Sequence, residues 1–394
     1  MADNKQNTNP NVPNLRFPEF SEDWVQTTIG EIGNIKNGPF GSILHAEDYV
    51  SNGVPIVTTE HFKFGTLPTI SEGIPQVSDE DYIRLKGYVL NENDIVFSRV
   101  GSVDINALVG KKQSGWLFSG RVLRVRPMVK INPLCLHYVL STESVKKDIR
   151  NRAVGQTMPS INTPILSKTA LKIPNNIIEQ NKIASLLSLL DNRIATQNKI
   201  IQQLQSLIKG IRYIIYTQLD CEWIQLSNLV VKGLITLKRG NVIPKYEYSD
   251  EYCYPVYSSS TQNGGLMGYF NTYMFDKSLI SWSIDGGGNF FYRDKHKFNV
   301  TNVCGYLEAD ERKFDYRFIS ELLIYQHSRM VFDYQTKAHP SVIEAMYYLP
   351  ILDLEKQQCY SKLFEHIYDK LDRETSLLNK YEEQKKFLLS NMFI

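Results

Sequence analysis

The feature that most constrains this chain is that it states one plan twice. Residues 24–38 (WVQTTIGEIGNIKNG) and 223–240 (WIQLSNLVVKGLITLKRG) each open with a tryptophan and lead into a long, Gly-punctuated, strand-like stretch. Each stretch passes a Pro-Ser-apolar triplet, Pro159-Ser160-Ile161 and Pro340-Ser341-Val342, and then an apolar-Pro pair, Ile173-Pro174 and Leu349-Pro350. Each ends in a long amphipathic helical pattern. A globular unit plus a helix, repeated once, implies internal pseudo-two-fold symmetry and suits a molecule that grips two separated targets.

The chain's 394 residues hold about two to three domains at roughly 150 residues each. No apolar run reaches the roughly 18 residues of a membrane span, and the opening MADNKQNTNPNVPNL has no signal-peptide core. Five cysteines at irregular spacing argue against a disulfide framework and for a reducing, cytoplasmic setting.

A net charge of +2 hides an asymmetry. Residues 1–98 carry 6 basic and 14 acidic side chains, a balance of −8, whereas residues 99–152 carry 11 and 3, a balance of +8. Lys111-Lys112, the Arg121/Arg124/Arg126 series and Lys146/Lys147/Arg150/Arg152 form this basic stretch, the electrostatic footprint expected where phosphates dock. A solvated basic face has the same composition. Residues 222–350 balance 13 basic against 14 acidic residues, so charge gives no such signal there.

Residues 1–23, rich in Asn and Pro, read as a disordered tail. Residues 24–174 form a first β-rich domain with strands expected at 54–58, 94–100 and 121–125 and a helix at 134–149. A helical segment follows at 175–216. A second domain, 217–348, has strands expected at 255–257, 278–284 and 300–306 and a helix at 316–331; a second helical segment occupies 349–394. In the first segment Ile183, Leu187, Leu190, Ile194, Gln197, Ile201, Leu204, Ile208 and Ile211 recur at steps of four or three, a heptad seam. Phe364, Ile367, Leu371, Glu374, Leu378, Tyr381, Lys385 and Leu388 form a weaker one. Each seam has a polar member near its middle, Gln197 and Glu374, suited to fixing pairing register. Asn176 with Glu179 reads as a capping box. A facing seam could come from a second chain, but two helices of similar length favour antiparallel pairing within one. From Ile183 to Ile211 such a rod runs about 42 Å at ~1.5 Å per residue, roughly 12 base pairs at ~3.4 Å each.

The segments NLRFPEFSEDW (14–24), GPFGS (38–42), DIVFSRVGSV (94–103), EQNKIASLLSLLD (179–191) and PVYSSSTQNGG (255–265), in this order, resemble the specificity (S) subunit of type I restriction-modification systems. The resemblance covers nearly the whole chain beyond the tail. It departs at residues 355–359 (EKQQC), where the family pattern has an EQ-x-KI-like helix start. The resemblance implies an α+β fold: two β-rich α/β target recognition domains separated by two long antiparallel helices forming a coiled coil. It implies that each domain reads half of a split double-stranded DNA target. The helices would set the gap and dock two methyltransferase (M) subunits, with restriction (R) subunits joining them. S-adenosylmethionine, ATP and Mg would be used by those partners and not bound by this chain. A non-catalytic coiled-coil adaptor for protein partners is the alternative, favoured only by the near-neutral second domain.

No catalytic or metal-ligating set stands out. There is no Asn/Asp-Pro-Pro-Tyr/Phe motif and no G-x-x-x-x-G-K-[S/T] loop. Cys135 and His137 lack a third partner, and Asp285-Gly286-Gly287-Gly288 reads as a loop. Base reading needs polar side chains on loops held by a scaffold. The candidates are Phe40, Gly41 and Ser42; Thr58, Thr59, Glu60 and His61; and Arg99 with Ser102. In the second domain they are Ser258, Ser259, Ser260, Thr261, Gln262, Asn263, Gly264 and Gly265, with Ser283, Asn289, Tyr292 and Arg293. Arg99 could instead pair with Asp94 or Asp104. Lys111, Lys112, Arg121 and Arg124 are expected at phosphates, which position a protein without specifying sequence.

Overall fold

The structure, a computed structural model, describes residues 11–39, 43–128, 130–260, 262–285, 287–330 and 337–394. The chain divides into two compact units, residues 1–196 with 378–394 and residues 197–377. No described helix is long and apolar enough to cross a membrane.

In unit 1 a four-stranded antiparallel sheet runs Gly33–Asn37, Val122–Pro127, Ile95–Ser98, Asn106–Leu108. The run Ile95-Val96-Phe97 is apolar throughout because both faces of the sheet are covered. Ile95, Phe97, Leu123 and Val125 face a core shared with the helix Pro133–Leu140, whereas Val96, Ala107 and Val122 face a second core containing Phe62, Trp116 and Phe118. The strand Val54–Val57 pairs in parallel with Leu117–Phe118 in a smaller sheet.

The helical pattern over 134–149 divides into Pro133–Leu140 and Glu143–Arg152. The break falls at Ser141-Thr142, whose hydroxyls donate back to the carbonyls of His137 (2.8 Å) and Val139 (2.7 Å), the competition with helix expected of Ser and Thr. Within residues 1–23, those from 11 onward are packed rather than disordered. The Leu15 amide donates to the Asn391 carbonyl (2.8 Å), Phe17 joins the core, and Arg16 makes a two-pronged ion pair with Glu179 (2.7 and 2.8 Å). Trp24 Nε1 also donates to Glu179 (3.2 Å), which is 1% exposed. Glu179 therefore does not complete the expected capping box. Asn176 alone caps, its Oδ1 accepting from the Ile178 amide (2.9 Å).

Unit 2 holds a six-stranded sheet in the order Ile235–Arg239, Cys304–Ala309, Phe275–Ser283, Phe290–Val300, Tyr254–Tyr257, Leu266–Phe270. The expected strand at 300–306 is divided by a turn at 301–303, so its two ends belong to different strands. The helix Tyr316–Ser328 packs on the sheet.

The repeat is kept to the residue where each domain opens and closes. Val25 pairs with Ile173, and Ile224 with Leu349; each pair joins the residue after the tryptophan to the residue before the proline. The Pro-Ser-apolar triplets are not equivalent, however. Ser160 sits in bridges to Val100 and Val154, whereas Pro340 starts the helix Pro340–Met346. The counterpart of Pro340 is Pro164, in the helix Thr163–Ser167; it precedes Ile173 by nine residues, as Pro340 precedes Leu349.

The long helices are Ile177–Gln218 and Leu354–Asn391. Ile183 and Leu187 share the unit 1 core with Met392 and Phe393, and Leu204 and Ile208 share the unit 2 core with Phe364 and Ile367. Start thus meets end in each unit, an antiparallel pair. From Leu371 to Leu388 the seam positions are half-buried while most residues between them are exposed. Helix starts 354 − 177 = 177 residues apart set the repeat, and Gln197 and Glu374 share this spacing. They meet: Gln197 Nε2 donates to the Glu374 carbonyl (3.0 Å) and carboxylate (2.5 Å). The same spacing carries through EKQQC, where the sequence departs from the family's helix start. Gln180 Oε1 accepts from the Asn132 amide (2.8 Å), and its equivalent Gln357 accepts from the Asp315 amide (3.0 Å). Asn132 and Asp315 are themselves the N-caps of Pro133–Leu140 and Tyr316–Ser328.

Candidate nucleic-acid interface

In unit 1 several strands end together. The Ser119 amide donates to Val57 O, the Arg99 amide to Arg121 O and the Gly38 amide to Val122 O (2.9–3.0 Å). This gathers residues 58–62, 99–102 and 119–121 at one edge. Gly38 is required there, since a Cβ would lie 1.9 Å from the Ser119 carbonyl. Phe40, Gly41 and Ser42 lie outside the described residues.

Within this edge, Thr58 and His61 are engaged with each other. The Thr58 amide donates to His61 Nδ1 (3.0 Å) across the short helix Thr59–Phe62, and burial lowers the imidazole pKa. Glu60 is exposed and paired with Lys63, and Thr59 is half-buried. Arg99 Nη1 donates to the Gly120 carbonyl (3.2 Å), while Asp94 is held by Arg126 and Asp104 by Arg150. Ser102 and Arg121 are exposed, and these two present free polar surface at the edge.

The remaining phosphate candidates do not join them. Lys111 and Lys112 are exposed, but they follow Leu108, which pairs with Ile95, whereas Arg121 precedes Val122, which pairs with Ser98. They therefore sit at opposite ends of the same strand. Arg124 is 5% exposed and donates through Nη2 to Asn34 Oδ1 (2.5 Å), so it is a core group and not a phosphate contact. Burial lowers its pKa. Much of the basic stretch is internally matched: Arg126 grips Asp94 with two 2.7 Å bonds, Arg150 pairs with Asp104 and Glu143, and Arg152 pairs with Asp148.

In unit 2 the loop 258–265 leaves the sheet beside Ser281, Ser283 and Arg293. Ser283 Oγ donates to the Ser259 carbonyl (3.0 Å), Thr301 Oγ1 donates to Ser258 Oγ (3.0 Å), and the Ser258 amide donates to Gly265 O (2.8 Å). Asn263, Gly264 and Gly265 all have positive φ (48°, 59° and 86°), and Gly265 is buried among carbonyls of the loop, so only glycine fits there. Arg293 lies beneath, 7% exposed, its guanidinium 3.6 Å from the Tyr257 ring centre and 4.9 Å from that of Phe291. Its Nε donates to Ser281 Oγ (2.9 Å). Among the described residues no carboxylate pairs with it, and burial pushes its pKa down to about 10. A buried cation stacked on two rings, bonded to the Ser281 hydroxyl and without a carboxylate partner among the described residues, is chemically able to donate to an anion or a base-edge acceptor.

Gln262, Asn263 and Gly264 are exposed at the loop tip, Ser260 and Asn289 half-buried; Thr261 lies outside the described residues. Tyr292 does not belong to this set. Alternation along the strand puts it on the opposite face from Arg293, where Arg317 stacks on it at 4.0 Å. Sequence reading missed Tyr257 and Ser281, which hold Arg293, and Thr301, which holds the loop at Ser258; the Ser281/Ser283 alternation on one strand face was the signal available. The Asp285–Gly288 loop joins two antiparallel strands and so has no helix to follow it. Cys135 is buried and its thiol pKa is raised, while burial and Lys385 lower His137 to about 4. Neither is ionised near neutrality.

The whole fold matches the crystal structure of a type I restriction-modification S subunit from M. genitalium, with a TM-score of 0.67 at 18% identity over 97% of this chain and 99% of that one. It also matches a chain from a structure of complex assembly and conformational transition in a type I restriction-modification system, with a TM-score of 0.56 at 11% identity over 94% and 97%. Among curated relatives, the MjaVIII type I restriction enzyme specificity subunit of Methanocaldococcus jannaschii is 26% identical over 207 residues, 50% of this chain and 47% of that protein. The MpnII specificity subunit of Mycoplasma pneumoniae is 35% identical over 102 residues, 25% and 31% respectively. These alignments span less than half of either relative. The family model for the type I restriction modification DNA specificity domain matches residues 21–206 and 228–383, one copy per half of the repeat. The chain belongs to that family and is a type I specificity subunit.

Proposed function

We propose that this chain reads a bipartite double-stranded DNA target, one domain per half-site, and docks methyltransferase and restriction subunits that carry the chemistry. In this reading S-adenosylmethionine, ATP and Mg are used by those partners and not bound by this chain. The observation that carries it is the doubled plan: two domains with equivalent stems on helices repeating at 177 residues. Each domain also presents a polar loop edge, around Arg121 and Ser102 in unit 1 and around Arg293 in unit 2. The paired helices are the natural element to set the gap between half-sites.

Single-molecule sequencing of DNA methylated by this chain, co-expressed with a cognate methyltransferase subunit, tests the proposal. The expected result is a split motif with one methylated adenine in each half and a fixed gap. A continuous motif, or no methylation from a stable complex, contradicts it.

A further inference from the structure

Among the described residues, each unit contains a three-membered polar cluster that joins its domain helix to both long helices. In unit 1, Tyr138 on Pro133–Leu140 donates its hydroxyl to Asp191 Oδ2 (2.7 Å), and Lys385 pairs with Asp191 Oδ1 (2.6 Å). In unit 2, Arg212 Nε pairs with Glu321 Oε2 on Tyr316–Ser328 (2.6 Å), and its Nη2 donates to the Tyr368 hydroxyl (2.7 Å). The Tyr368 hydroxyl also donates to Glu321 (3.3 Å).

The positions correspond. Asp191 and Tyr368 each lie fourteen residues beyond the first residue of their long helix. Tyr138 and Glu321 each lie five beyond the first residue of their domain helix. The acid and the tyrosine have exchanged places between halves, while the cation comes from the other long helix in both. By the 177-residue spacing Lys385 corresponds to Ile208, one turn before Arg212. The same three-way joint is thus made twice with different side chains, which general apolar packing does not require.

We infer that these two clusters are positioning residues that fix the angle of each domain on its helices, and through it the length of the gap between half-sites. The inference rests on the proposed bipartite reading. Apolar burial is non-directional and tolerates sliding, and both domain helices already have it: Leu136 and Val139 in one, Leu322 and Leu323 in the other, all buried. Charge-assisted hydrogen bonds have a required geometry and contribute orientation more than adhesion. Their loss loosens the joint without dissolving it, and a shift of about 3.4 Å at the DNA is one base pair.

The test compares the wild-type chain with Tyr138→Phe and Tyr368→Phe, each removing one hydroxyl and no charge. Each is co-expressed with the methyltransferase subunit, and its methylated sites are sequenced. The expected result is unchanged bases in both half-sites with a gap spread over neighbouring lengths, the flanking lengths rising at least tenfold. The melting temperature should move by only about 2–4 °C. A single gap length in both variants overturns the inference, as does altered half-site sequence, which would assign the hydroxyls to base reading. A wild-type chain giving no split motif fails the bipartite reading itself, a separate outcome. Should either Phe variant not fold, Lys385→Arg and Arg212→Lys perturb the same joints with charge retained and face the same criterion.

Discussion

Arg293 concentrates the argument at the scale of single residues, because its charge is buried, stacked and without a carboxylate among the described residues. Arg293→Ala is expected to weaken recognition of the half-site read by unit 2 by about 1–3 kcal/mol, seen as lost methylation there with the other half-site's consensus intact. Arg293→Lys should not restore it, since an ammonium lacks the planar fork and stacking face. Equal methylation of both variants and wild type would remove Arg293 from recognition. His137 supplies a pH prediction. Its folded pKa of about 4 lies below the ordinary 6.5, with Lys385, Asp191 and Lys146 nearby. Between those values the unfolded chain binds a proton that the folded one does not, so stability rises with pH there and is lost on acidification. Acidifying across that window should cost the half-buried ring on the order of 2 kcal/mol, and His137→Gln should flatten the slope in denaturant titrations. The charge pattern of residues 99–152 was legible, but its partners were not: Asp94 and Arg126 are 32 positions apart, and nothing local reveals that such an arginine is spoken for.

Among the elements, the long helices were the most legible, because a seam of steps of three and four survives whatever it packs against. Even the polar pair at its centre could be read, and Gln197 does meet Glu374. Replacing both by Leu is expected to stabilise the pair by about 1–2 kcal/mol, while Gln197→Leu alone should destabilise it by leaving the Glu374 carboxylate without its donor. Chemical denaturation of the three proteins checks both signs. The strands expected at 54–58, 94–100, 121–125, 255–257 and 278–284 fall near observed ones, but a greater number went unread. The split after Leu140 rests on local Ser141 and Thr142 bonds, whereas the break after Val300 sits beside a Thr301–Ser258 hydroxyl bond that only the tertiary fold brings together. The mismatched Pro-Ser triplets show the same limit. Counting nine residues back from each apolar-Pro pair finds the true equivalents, Pro164 and Pro340, whereas residue identity pointed to Pro159.

For the molecule as a whole, helix length is the quantity with a functional reading. Inserting one turn of four residues beside both Gln197 and Glu374 adds about 6 Å, under two base pairs at roughly 3.4 Å each. Methylated-site sequencing should then give a gap longer by one or two base pairs with both half-sites unchanged; an unaltered gap would detach helix length from spacing. The doubled plan made this scale legible from sequence, while the loops that choose bases follow no such rule. The antiparallel stems Val25↔Ile173 and Ile224↔Leu349 carry a further consequence. Where the chain leaves for a domain and where it returns are neighbours on adjacent strands, so whatever lies between is topologically a bubble on a zipper. One bubble holds 149 residues and the other 126, counted inclusively from these bounds, yet the zipper beneath keeps its register. A graft cut at those two strands should exchange one reader for another while leaving the rod it stands on untouched.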